Sequence, residues 1–349
     1  MREEPVMNEN RLANFDFLRI VALFAIVMGT FVSLGFASAE VSSFNWDLLN
    51  IFMSVSRFGF PVLLMLSGAF MLDNQSKPDV KGILKHYVLR LVIVFVIWSL
   101  FYALMHAIFD GESVSFMDSL FTGYDHLWFI LAVIGLYLIT PVLRAFLQAA
   151  NQELILYFLL LSFLFAFLLP YVAWYLEWDG LSSLLNNMKL RAVGGYLGYF
   201  VAGYYLRQYT PDRAKRILLY VMGGIALFIT IFLTSANSDY YGYSIPYFYN
   251  LFSPAVAVYS VGVYLFFYHL NFGLISQNTE RIFYNLSAVS FGAYIVHRFF
   301  YLLLDAIGIT AVSFTPFLTV PLCSGLVFCL SLFASLMLKK IPFAGKYLG

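Results

Sequence analysis

Charge and cysteine are what this chain has least of. Only 11% of its 349 residues are Asp, Glu, Lys or Arg, against about 25% in an ordinary soluble domain. Twenty Lys plus Arg against 19 Asp plus Glu leave a net charge of +1, neither the basic excess that nucleic acid demands nor an acidic tail. Nucleic-acid binding is excluded. The two cysteines, Cys323 and Cys329, lie six residues apart in one apolar segment, where a helix points them to different faces, too far apart to bridge. No histidine stands at metal-ligand spacing from another, so no metal site is expected. The opening residues MREEPVMNEN lack a basic region and the first apolar run lacks a small-residue cleavage signature, so that run reads as a retained span.

What remains is apolar. Hydrophobic residues make up 62% of the chain, with 38 Phe and 25 Tyr, and the mean hydropathy is +0.82. One compact core cannot hide that much apolar surface, so part of it must face lipid. Lipid admits only helices or closed barrels, and continuous apolar runs choose helices. The fold expected is therefore an all-α integral membrane protein, a single bundle of about ten transmembrane helices with both termini cytoplasmic. The spans predicted are 15–36, 46–71, 83–109, 126–147, 153–176, 190–207, 215–235, 246–268, 283–304 and 315–338. A cytoplasmic tail 1–14, a transmembrane domain 15–340 and a cytoplasmic tail 341–349 follow from that segmentation.

The positive charges support the same division, because Lys and Arg accumulate in cytoplasmic loops. Arg2, Arg11, Lys77, Lys81, Lys85, Arg144, Arg207, Arg213, Lys215, Arg216, Arg281, Lys339, Lys340 and Lys346 fall on one side, and only Lys189 and Arg191 near the other. The opposite loops hold acids such as Asp110, Glu112, Asp118, Asp125, Glu177, Asp179 and Asp239, beside Trp46, Trp174, Trp178, Tyr240, Tyr241 and Tyr243. Two readings of these aromatics are open, an interfacial belt and a carbohydrate-binding surface.

Arg19, Arg57, Arg90 and Arg298 fall inside spans. An intramembrane charge is costly and marks a candidate site. Arg19 and Arg90 lie close enough to the cytoplasmic end to snorkel to headgroups. Arg57 lies too deep for that, and an anionic ligand or partner is the expectation there. His106, His126 and His297 sit on the outer halves of spans, where a lone histidine is either a satisfied polar residue or an acid–base group.

The segments NFDFLRIVALFAIVMGTF, SRFGFPVLLMLSG, HLWFILAVIGLYLITP, GYLGYFVAGYYL and FGAYIVH, in that order, together resemble the acyltransferase-3 family over nearly the whole chain. The resemblance implies a multi-pass enzyme of the cell membrane, in bacteria the cytoplasmic membrane. It would move an acyl group, by family default acetyl, from acyl-CoA to a hydroxyl of a cell-envelope polysaccharide or lipid-linked glycan. The family's first-span motif is Arg, ten residues, then His; here Arg19 is followed by Thr30. Eleven steps of about 100° return to within about 20° of the same face, at a rise of about 16.5 Å, comparable to the reach from the CoA phosphates to its thioester. In this reading Arg19, with Arg57 or Arg90, binds the donor; His297 or His126 acts as general base; and Thr30 hydrogen-bonds the acyl carbonyl. A threonine hydroxyl cannot itself be a general base near neutral pH. Three explanations stay open: His297 or His126 has taken over, the fold is retained without acyl transfer, or the natural residue was substituted. A non-catalytic relative that exports or holds a polysaccharide or lipid-linked intermediate is the alternative function. The oligomeric state has no signature in the sequence.

Overall fold

The computed structural model describes residues 13–36, 39–73, 78–109, 121–271, 276–342 and 345. Most of both expected tails lies outside them, as do Lys77, Asp110, Glu112 and Asp118. Among the described residues the chain is helical throughout its ordered elements, with no strand. In chain order these are α1 (Ala13–Gly35), α2 (Phe44–Ser56), α3 (Gly59–Met71) and α4 (Leu89–Phe109). Next come α5 (Trp128–Ala149), α6 (Gln152–Ser162), α7 (Leu169–Tyr175), α8 (Asp179–Met188) and α9 (Leu190–Gln208). The last five are α10 (Arg213–Tyr241), α11 (Pro254–Tyr268), α12 (Gln277–Ala288), α13 (Ser290–Ala306) and α14 (Pro316–Lys340).

Among the described residues, eight helical stretches are long and apolar enough to cross a membrane, and a ninth results if the bent pair α12 and α13 counts as one span. The sixth expected span, 190–207, is α9. It is too rich in Gly, Tyr and Arg to pass on composition, yet it packs into the bundle against α3 and α6. Side chains such as Phe228, Phe232, Leu322 and Phe333 stand exposed along α10 and α14, the surface a lipid environment requires. Direction alternates along the chain, so that one end of the bundle carries Lys81, Lys85, Arg207 and Lys339 and the other carries Asp125, Glu177, Asp179 and Asp239; these are called the basic and acidic ends.

Close backbone approach sets the α3–α9 contact. A Cβ placed on Gly203 would collide with the backbone of Met65, and one on Gly68 with the backbone of Phe200. Small residues that let helices touch are the usual device in membranes, where no hydrophobic force drives helices together. Gly203→Ala is therefore expected to lower stability by about 1–3 kcal/mol, read as a lower melting temperature in detergent. An unchanged melting curve would mean that the two helices are not in contact.

The ninth expected span, 283–304, is not straight. It bends by 60° between α12 and α13. At the bend the Val289 carbonyl accepts both from Ala293 N–H of α13 at 3.1 Å and from Ser335 Oγ of α14 at 2.8 Å, while Ser290 Oγ turns back to the Ser287 carbonyl at 2.7 Å. Satisfying freed backbone groups by neighbouring side chains is what makes such a break tolerable in lipid. The consequence is positional: Ser287 and Ser290 face the interior beside Arg19, and α13 runs on toward the acidic end along α1.

A break also divides the second expected span, 46–71, at Arg57 and Phe58. At the far end of α3 the last carbonyls have no partners in their own helix. Arg207 donates to the Ala69 carbonyl at 2.8 Å, and Arg144 Nε to the Met71 carbonyl at 2.7 Å. Two arginines expected merely as loop charges thus close a helix C-terminus, where positive charge is also favoured by the dipole.

Candidate functional site

The site begins on α1. Its register against α13 is set by Tyr301, whose hydroxyl donates to the Val27 carbonyl at 2.9 Å and whose ring stacks on Phe31 at 5.1 Å. Tyr294, His297 and Tyr301 are spaced by three and four residues and so share one face of α13. Fixing Tyr301 against Val27 brings His297 to Thr30: Nε2 lies 3.2 Å from Thr30 Oγ1. His297 is fully buried, whereas Thr30 is partly accessible.

The hydrogen-bond partners determine the proton positions. His297 Nδ1 faces the Tyr294 carbonyl; a carbonyl only accepts, so Nδ1 carries a proton. In the neutral ring, Nε2 is then the lone pair, and it is aimed at Thr30. Thr30 Oγ1 also lies 2.9 Å from the Ile26 carbonyl one turn back. One hydroxyl proton cannot serve both acceptors. When His297 is neutral, Nε2 and the Ile26 carbonyl are both acceptors open to the Thr30 hydroxyl; when His297 is protonated, Nε2–H donates to Thr30, whose own proton is left to Ile26. Proton transfer at His297 thus changes which groups the Thr30 hydroxyl can donate to.

His126 stands beside this pair, its ring centre 5.1 Å from that of His297. Its Nε2 donates to the Ile295 carbonyl at 3.0 Å, which also accepts from Tyr102 at 2.7 Å. Nδ1 of His126 is left as a buried acceptor with no hydrogen-bond partner among the described residues, a costly state for a polar atom. The short 3₁₀ turn Asp125–Leu127 that presents His126 is tied to α13 twice more. Tyr294 donates its hydroxyl to the His126 carbonyl, and Arg298 pairs with Asp125 at 3.8 Å while lying over the Tyr124 ring at 5.8 Å. Asp125–His126 and His297–Arg298 thus face each other, ions paired outside and imidazoles inside.

From the basic end a cavity of about 740 Å³ enters the bundle, a volume typical of small-molecule sites. Its mouth and walls carry Arg19, His86, Arg90 and Lys339, with Ser287 and Ser290 on one side. Arg19 Nη1 donates to Ser287 Oγ at 3.2 Å, so the bend after α12 orients the guanidinium. The inner end is closed by Phe129 and Tyr294, packed with Phe60 at ring distances of 5.1–6.2 Å. Tyr294 stands at the junction: its ring closes the cavity, its hydroxyl holds His126 and its carbonyl holds His297. Thr30 and His297 do not line the cavity; they lie behind that aromatic layer.

Of the residues singled out in the sequence, Arg19 and Arg90 share the cavity, and Thr30, His297 and His126 form one cluster. Arg57 joins neither. Its Nε donates to the Tyr249 carbonyl at 2.6 Å and its guanidinium lies over the Tyr249 ring at 5.4 Å, so it fastens the α2–α3 break to the turn before α11. Sequence reasoning missed Tyr102, Ser287, Ser290 and the roles of Tyr294 and Arg298. Tyr294 had a local signal, lying one turn before His297 in FGAYIVH, and Arg298 had one as a charge inside a span. Among the described residues, no group of three or more His, Cys, Asp or Glu is placed to hold a metal ion.

Comparison with known proteins gives one finding. The family described as an acyltransferase domain matches residues 12–336. No curated protein and no solved structure matches the chain. The matched region holds the lining of the basic-end cavity apart from Lys339 and Gly345, together with the bend after α12 and the Thr30–His297 contact, and the chain belongs to the acyltransferase-3 family.

Proposed function

We propose that this membrane acyltransferase takes an acyl group, acetyl in the simplest case, from acyl-CoA at the basic end, and passes it to a hydroxyl of a cell-envelope glycan or lipid-linked glycan. The observation that carries the reading is the 3.2 Å contact between Thr30 and His297, on the stripe of α1 that begins at Arg19. The basic end would be cytoplasmic, as the positive-inside rule expects, and the membrane the bacterial cytoplasmic one. Arg19, Arg90 and Lys339 supply positive charge for the anionic donor, Arg19 with the forked geometry suited to phosphate. The thioester would then reach inward to Phe129 and Tyr294, whose rings close the cavity and would have to turn aside for it to meet Thr30.

The acceptor oxygen attacks the thioester carbonyl, forming a C–O bond as the C–S bond breaks. Its proton passes to Thr30 Oγ1 while the Thr30 proton moves to His297 Nε2, and the imidazolium returns a proton to the departing thiolate. Nδ1–H remains on the Tyr294 carbonyl throughout, which holds the ring in the useful tautomer. A hydroxyl at position 30 can relay a proton although it cannot store one. His126 would hold the pair in place with its free Nδ1 open to a hydroxyl donor.

The test is transfer of label from radiolabelled acetyl-CoA to native envelope material by the purified protein. We expect labelled acceptor, and a rate that falls at acidic pH because only neutral imidazole accepts a proton; no label at any pH would overturn the proposal. The second reading, a non-catalytic protein that exports or holds a glycan, is favoured by the threonine at position 30 and by the aromatic layer between cavity and histidines. Polymer exported without acyl groups after gene deletion would speak for transfer, and polymer retained inside the cell for export.

A further inference from the structure

A second cavity, of about 830 Å³, opens at the acidic end, far along the chain from the histidine pair. It lies between the turn joining α7 to α8 and the end of α10. One wall is Trp174. Its ring is stacked on Tyr247 at 3.5 Å and 17°, with Phe248 edge-on at 5.7 Å, yet 39% of the residue is exposed. One face is thus pinned and the other is open. The opposite wall is Tyr240, Tyr241 and Tyr243, with Tyr240 83% exposed. Glu177, Asp179, Ser182 and Asn237 supply the polar lining, and among the described residues no Lys, Arg or His lines the cavity.

We propose that this cleft binds a saccharide chain that is uncharged or carries amino groups, and that it excludes anionic glycans. An immobilised aromatic face offers the flat apolar contact that the C–H face of a pyranose needs, at little entropic cost because the ring is already held. Carboxylates accept hydrogen bonds from sugar hydroxyls or ammonium groups and repel uronates and phosphates. A simple membrane-interface belt would scatter aromatics around the perimeter; here they form two walls of one cavity with acids between them. The proposal rests on the acyltransferase reading and narrows its acceptor: the cleft would hold the polymer at the acidic end while one sugar reaches the Thr30–His297 site.

Calorimetric titration of the detergent-solubilised full chain tests it without any acyl donor. The probes are a neutral cello-hexaose, a glucosamine hexamer, a galacturonate hexamer and glycerophosphoethanolamine as a lipid headgroup. We expect both of the first two to bind, and the galacturonate hexamer to bind at least about tenfold more weakly, about 1.4 kcal/mol. Tyr240→Ala, at an exposed position outside the Trp174 stack, is expected to weaken binding about tenfold, and Trp174→Ala at least as much. Glu177→Gln with Asp179→Asn is expected to remove the discrimination against galacturonate. The proposal is overturned if no hexasaccharide binds, if galacturonate binds as well as cello-hexaose, if the variants bind as the parent does, or if glycerophosphoethanolamine displaces the sugars. Measuring transfer beside binding in the parent protein separates the two readings: saccharide binding unaccompanied by transfer counts against catalysis alone, and transfer without binding in the cleft counts against the cleft alone.

Discussion

Replacing His297 with alanine is expected to lower acyl transfer by about 10²- to 10⁴-fold, the span attributable to general-base assistance. The residual rate would come from positioning of donor and acceptor. Because His297 is fully buried, the alanine variant also creates a cavity, so His297→Gln is the companion. It keeps most of the volume and hydrogen-bonding capacity without a titratable nitrogen, and the same loss is expected in a protein that still elutes as a single species and melts cooperatively. Thr30 supplies the finer distinction. Thr30→Val keeps the shape and removes the hydroxyl, breaking the path from the accessible side to Nε2; the rate is expected to fall nearly as far as in His297→Ala. Thr30→Ser restores the hydroxyl and is expected to recover most of it. Losses from the two sites should not add, since they interrupt one proton path. Full activity in either His297 variant would remove this histidine from the chemistry, and full activity in Thr30→Val would remove the relay.

Replacing Arg19 with glutamine is expected to raise the KM for acyl-CoA by about 10- to 100-fold, since a charge-assisted hydrogen bond contributes about 1.5–3 kcal/mol. kcat is expected to stay nearly constant, because the guanidinium would grip the donor equally in ground and transition states. Arg19 is the more sensitive position because it is oriented by Ser287 at the bend after α12, so Ser287→Ala should produce a smaller change of the same kind. Arg19→Lys keeps the charge but not the fork, and is expected to fall between the two. High salt should raise KM in the parent protein and have less effect in Arg19→Gln. An unchanged KM in Arg19→Gln would place the donor elsewhere.

These two experiments separate a catalytic pair from a binding group, and the structure shows why one could be read ahead and the other only in outline. Arg19 and position 30 lie on one continuous helix, α1, so their common stripe follows from helical geometry alone. His297 is 267 residues from Thr30 in the chain. Its motif segment pointed to it, but nothing in its spacing singled it out over His126, and no local rule could show that both histidines would meet. Their meeting depends on the Tyr301–Val27 hydrogen bond and on the bend at Val289. That bend is tied to α14 by Ser335, 46 residues further on.

The intramembrane arginines show the same division. All were visible as costly charges that must have partners, and the partners differ in kind. Arg19 and Arg90 line a cavity, Arg57 is satisfied by the Tyr249 carbonyl, and Arg298 pairs with Asp125 across the two histidine-bearing segments. Arg144 and Arg207, assigned to loops by charge pattern, cap α3 instead. Burial cost is a property of the residue and its span; the group that offsets it comes from wherever the bundle brings a second helix.

Composition and hydropathy were thus enough for a helical membrane bundle, because lipid leaves a backbone few ways to satisfy its own hydrogen bonds and long apolar runs select among them. The order of the motif segments was enough for the family. Which histidine faces Thr30, which arginines open onto a cavity and where a span bends were settled by packing between helices distant in sequence. Those contacts depend on side-chain shape and on carbonyls freed at breaks, quantities that no local stretch of this chain contains.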